Sequence, residues 1–133
     1  MVCVYCAGDT QVINSRLQKR PNQVWRRRKC LACEAIFSTH EAAAYDAAWR
    51  VKIADGKLVP FIRNKLFVSL YKSLEHRPSA LDDATALTDT IMGRLLKATQ
   101  NGAVDAKTIA STAHGVLKRF DKAAAVHYLA FHP

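Results

Sequence analysis

The sequence predicts an α+β protein: a small amino-terminal β domain, then a mostly helical domain that opens on a β-hairpin. Three observations carry that prediction. All four cysteines lie within the first 33 residues. The residues around them form short β-compatible runs separated by turns. From residue 66 onward apolar residues recur every three and four positions, the spacing of amphipathic helices. A chain of 133 residues and 14.8 kDa has room for one ordinary domain or two small ones. The composition is that of a folded protein, half apolar or aromatic and 23% charged.

In the first part, residues 11–15, 24–29 and 35–39 read as strands, with Pro21-Asn22 breaking the chain between the first two. Few large apolar residues accompany them. A piece of about 40 residues without a core ordinarily needs a metal or disulfides to fold. The boundary falls near residues 40–48, where Glu41 to Ala48 reads as a helical linker; this divides the chain into 1–44 and 45–133.

In the second part, residues 49–53 and 57–59 flank Asp55-Gly56, a strong hairpin turn signal. After Pro60-Phe61 comes a helix with Leu66, Phe67, Leu70 and Leu74 on one face, stopped by Pro78. Ser79 and Asp82 have the spacing of a capping box. Leu87, Ile91, Leu95 and Leu96 line the next helix, which Asn101-Gly102 ends. Asp105 is placed to cap a third helix carrying Ile109, Ala113, Val116, Leu117 and Phe120. Asp121 is placed to cap a fourth carrying Ala125, Val126 and Leu129. The apolar end, residues 126–131, is either core or an oligomer contact.

Cys3-Val4-Tyr5-Cys6 and Cys30-Leu31-Ala32-Cys33 are two C-x2-C pairs with 23 residues between them. Each pair can hold a metal ion with two thiolates, and together they complete a tetrahedral shell. Zinc suits four thiolates and brings no redox chemistry. Its binding can supply on the order of 10–16 kcal/mol of folding free energy, which replaces the missing core. One Zn²⁺ per chain is therefore expected on Cys3, Cys6, Cys30 and Cys33, in a structural role because a closed shell leaves no open position. No signal peptide pattern opens the chain, which disfavours disulfides and predicts a cytoplasmic protein. No apolar run reaches the roughly 20 residues of a membrane span.

The charge points to a polyanion. Twenty Lys and Arg against eleven Asp and Glu give a formal +9, and residues 1–40 alone hold seven Lys and Arg against two acids. Arg26, Arg27, Arg28 and Lys29 run directly into the second cysteine pair, with Arg16, Lys19 and Arg20 on the facing part of the ribbon. Arginine forks match phosphates and guanine edges. Arg16, Arg26, Arg27, Arg28 and Lys29 are the expected nucleic-acid contacts, with Trp25 a packing residue for the small core. The solvated alternative, a plain charged strand, leaves four consecutive cations with no acidic run nearby to neutralise them.

Cys3-x2-Cys6, the run Asp9 to Arg16, the run Arg26 to Cys33 and Phe37 to Glu41 together resemble the zinc ribbon of the NrdR family, bacterial transcriptional repressors of ribonucleotide reductase genes. Residues 51–65, with Asp55-Gly56, Pro60-Phe61 and Lys65, are similar to the opening of the ATP-cone domain that follows the ribbon there. The resemblance implies that the ribbon binds paired palindromic boxes in double-stranded DNA. It also implies a cone that takes ATP or dATP through Val51, Lys52, Asn64 and Lys65, with the nucleotide setting the state of a homo-oligomer, in the bacterial cytoplasm at the nucleoid. The chain departs from the pattern where the family has Lys-Arg before Asp-Gly, here Ile53-Ala54, and where it has Asp after Pro-Phe, here Ile62. Each lost cation removes a charge-assisted hydrogen bond of roughly 1.5–3 kcal/mol from a phosphate site. The alternative is a nucleic-acid-binding ribbon whose degenerate cone no longer senses nucleotide.

Nothing in the sequence recommends an enzyme. There is no G-x-x-x-x-G-K-[ST] loop, and the five histidines, His40, His76, His114, His127 and His132, share no ligand spacing.

Overall fold

The computed structural model describes residues 1–133 and falls into two compact units, Met1–Ala43 and Ala44–Pro133. The first is a three-stranded antiparallel sheet of β1 (Thr10–Gln18), β2 (Gln23–Cys30) and β3 (Ile36–Ala42), in the order β1-β2-β3. Asn22, at φ +49°, closes the β1–β2 turn, and its N–H donates to the Lys19 carbonyl. Every strand is longer than its sequence signal. β3 continues to Ala42, so the linker expected to be helical is strand up to that point, and its helix is the single turn α1 (Tyr45–Ala48). The ribbon's only buried residues are Cys3 and Cys30. With no apolar core face, the alternation that marks strand ends in a sequence is absent.

The second unit follows α1 with β4 (Arg50–Lys52), β5 (Leu58–Pro60), α2 (Arg63–Leu74), α3 (Ala80–Ala98), β6 (Ala103–Asp105), α4 (Ala106–Phe120) and α5 (Lys122–Phe131). The expected hairpin forms, with Gly56 at φ +84° and the Asp55 carboxylate accepting the Lys57 N–H. It belongs, however, to a three-stranded sheet, β5-β4-β6, in which β6 runs parallel to β4. Three residues with one apolar member gave β6 no sequence signature. Leu70, Leu74, Ile91, Leu95 and Leu117 are fully buried at the centre of the helices. Trp49 meets the edge of Phe61 at 5.3 Å and seals the sheet side.

Asn101-Gly102 does not end the second long helix. α3 stops at Ala98, where the Thr99 N–H bonds the Leu95 carbonyl, and the pair turns the chain into β6. Gly102 sits at φ +74°, its carbonyl accepts the Arg50 N–H at 2.7 Å, and a Cβ on it would lie 2.8 Å from the Ala48 carbonyl oxygen. Backbone on both sides leaves nothing flexible to yield. Gly102→Ala is expected to destabilise this unit by about 1–3 kcal/mol in denaturant unfolding; a variant as stable as the parent would show that the turn relaxes freely.

The helix caps and one helix face differ from expectation. Ser79 donates to Asp83 at 2.6 Å and makes no cap bond, and Arg77 Nε holds the same carboxylate at 2.8 Å, so Asp83 replaces the expected Asp82. Asp105 makes no side-chain cap. Asp121 does cap α5, accepting the Ala124 N–H at 3.0 Å. On α5 the buried residues are Ala124, Ala125 and Tyr128, while Val126 and Leu129 face outward. A helix apolar all round gives no periodic signal from which to pick the inner face.

The Ala124 N–H, with His76 and Arg77 behind it, holds the Asp121 carboxyl below the usual carboxylate range. A depressed acid stabilises the fold above its unfolded pKa of about 4 and loses that contribution as pH falls toward its folded pKa. Stability of Ala44–Pro133 is therefore expected to drop below about pH 4, and Asp121→Asn to flatten that slope; identical acid limbs for both proteins would contradict this.

Candidate metal centre and cationic sheet face

The two cysteine pairs are built by the same turn. The Cys3 N–H donates to the Gly8 carbonyl at 2.8 Å, and the Cys30 N–H donates to Ala35 at 2.9 Å, five residues on in each case. Ala7 and Glu34, at equivalent positions, take φ +59° and +60°. Backbone N–H groups point at sulfur in both turns: Tyr5 to Cys3, and Ala32 and Cys33 to Cys30, each at 3.4 Å. Gly8 lets the turns meet, because a Cβ there would lie 3.0 Å from Ala32 Cβ and 3.3 Å from Cys6 Sγ. No spacing rule singles this glycine out in the sequence.

The four sulfurs lie within 4.8 Å of one another. Cys3 Sγ is 3.7 Å from Cys33 Sγ, and Cys6 Sγ is 3.5 Å from Cys30 Sγ. A disulfide needs about 2.05 Å, so all four are free thiols. A tetrahedral ion with metal–sulfur bonds of about 2.3 Å sets an edge near 3.8 Å. The donor set and its spacing therefore fit a single thiophilic ion such as Zn²⁺. The Cys33 N–H, with that of Ala32, holds the Cys30 thiol below its ordinary pKa despite burial. At Cys33 the Ala35 N–H favours the thiolate, but hydrogen bonding with the neighbouring sulfurs of Cys6, Cys30 and Cys3, together with desolvation, outweighs it and pushes the pKa up. Thiolates this close need a cation among them.

The sheet sorts the cationic residues by face. Side chains alternate along a strand, so Arg26 and Arg28 share one face of β2, and Trp25, Arg27 and Lys29 share the other. On the first face Arg26 donates to Ser15 and to Glu41, each at 3.1 Å, and Arg28 donates to Thr10 at 3.2 Å. On the second, Arg16 stands opposite Trp25 and Asn14 opposite Arg27. The β1 bulge between Val12 and Asn14 sets this register. Arg16 and Arg27 are exposed and have no carboxylate within ion-pair reach. Lys29 has Glu34 at 3.6 Å. Single acids, not an acidic run, thus neutralise Arg26 and Lys29, and these partners, Glu41 and Glu34, are distant in sequence or beyond the knuckle. Trp25 is half-buried.

In the second unit, Val51 and Lys65 line one cavity of about 250 Å³ between the β4–β5 hairpin, α2, α4 and α5. Lys52 and Asn64 lie outside its lining, exposed. No helix is long and apolar enough to cross a membrane.

Residues 1–41 match the sequence model of a family described as "Transcriptional repressor NrdR-like, N-terminal domain".

Proposed function

We propose that the chain is a zinc-dependent, DNA-binding transcriptional repressor of ribonucleotide reductase operons, a reading supported by the match of residues 1–41 to the NrdR-like amino-terminal domain. Zn²⁺ on Cys3, Cys6, Cys30 and Cys33 would be structural. It fixes β2 and, through β2, the register of the cationic residues. The observation that carries the reading is the face of β1 and β2 on which Arg16 and Arg27 stand free of acids. Phosphates on either side of a groove supply the missing counter-charge, while Arg26 and Arg28 stiffen the sheet from behind and Lys29 adds charge at the knuckle. Paired palindromic boxes call for paired ribbons, so the second unit, Ala44–Pro133, would assemble a homo-oligomer whose form follows a bound effector. The resemblance names ATP or dATP, acting at Val51, Lys52, Asn64 and Lys65, in a bacterial cytoplasm.

A second reading keeps the DNA-binding ribbon and drops the adenine nucleotide. It is favoured by the cavity that holds Val51 and Lys65, in which Lys65 is the only charged side chain. Fluorescence anisotropy on a duplex with paired reductase-type boxes, against a scrambled duplex, tests the common part. Tighter binding to the boxes, weakening steeply with salt, is expected; equal binding to both duplexes would remove the repressor reading. Solution mass with ATP or dATP then divides the two readings, since only the first expects the oligomer to change.

A further inference from the structure

The cavity of the second unit has a ligand chemistry of its own. Its walls are mostly apolar, including Val51, Phe61, Leu66 and Ile109, and no acidic side chain lines it. Lys65 stands in the first turn of α2 with no carboxylate in ion-pair reach. That turn holds no acid and no side chain caps it, so helix dipole and ammonium both favour an anion. A second observation points the same way. Tyr128, only 2% exposed, lines the cavity, and its hydroxyl has no hydrogen-bond partner in the chain. Its neighbour His132 is already engaged, stacked on the Tyr128 ring at 4.1 Å with Nδ1 on the Tyr128 carbonyl at 3.1 Å and Nε2 on Ser69 Oγ at 3.5 Å.

We propose that this cavity binds a small apolar molecule carrying one negative charge, a monocarboxylate whose hydrocarbon body fills the apolar walls. Lys65 and the first turn of α2 hold the carboxylate, and the Tyr128 hydroxyl supplies a further polar contact. A volume of about 250 Å³ suits a ligand smaller than drug size. A triphosphate, with about four charges, meets one lysine here. The proposal rests on reading the second unit as an effector domain, and it is tested by ligand binding alone, without DNA.

The full-length, zinc-loaded chain is titrated with octanoate, with octanol as the neutral body, and with ATP, by calorimetry. Fluorescence of Trp49, which touches the cavity wall through Phe61, gives a second readout in a Trp25→Phe background. Saturable octanoate binding, at least tenfold tighter than octanol, is expected. Lys65→Met, at an exposed position, should remove that tenfold preference while leaving octanol unchanged, and Tyr128→Phe should weaken octanoate several-fold with helical content intact. Absence of saturable octanoate binding would overturn the proposal, as would equal octanoate affinity in Lys65→Met. Tight ATP binding that octanoate does not displace would overturn it in favour of the nucleotide, while DNA binding by the ribbon would stand or fall separately.

Discussion

Stripping the metal with a chelator is expected to unfold Met1–Ala43 and to leave the helices of Ala44–Pro133 intact. The ribbon buries only Cys3 and Cys30, so its three strands have no apolar core to fall back on. Metal binding worth on the order of 10–16 kcal/mol is as large as the whole stability of a typical domain. The second unit owes nothing to sulfur, since its core is Leu70, Leu74, Ile91, Leu95 and Leu117. Amide exchange should therefore lose protection across β1 to β3 while the far-ultraviolet helix signal holds. Cys30→Ser should behave like the chelated protein, because Cys30 is fully buried and takes two backbone N–H groups. Retained protection in β2 without metal would show that the strands hold themselves.

The second large effect concerns DNA. Arg16→Ala and Arg27→Ala are each expected to weaken binding by roughly 1–3 kcal/mol and to reduce the salt slope by about one. Arg26→Ala should leave that slope nearly unchanged, because its guanidinium is already committed to Ser15 and Glu41. Its loss loosens the sheet and so acts on ribbon stability. Salt titrations of the three variants on one duplex give the comparison. Equal slope changes at Arg26 and Arg27 would mean that both faces meet the phosphates.

The metal ligands were legible because tetrahedral coordination imposes a spacing, and C-x2-C twice over is that spacing written in the chain. The helices announced themselves where one face is buried, as at Leu66, Leu70 and Leu74, and misled on α5, where both faces are apolar. The arginine run was visible as charge, but its division into a paired and an unpaired face was not. That division depends on the β1 bulge and on Glu41, 15 residues from Arg26, and neither carries a local signature. Gly8 and β6 were silent for the same reason: what each does is set by atoms far away in sequence. Of the residues expected to touch nucleotide, Val51 and Lys65 converge on one cavity, whereas Lys52 and Asn64 lie outside its lining.

Zinc titrated into metal-free protein in the presence of labelled duplex, with ribbon amide signals and anisotropy followed in one sample, bears most directly on the link between metal and DNA. Both signals should rise together and stop at one equivalent. Full DNA affinity before any metal is added, or a ribbon that folds at one equivalent without gaining the duplex, would contradict it.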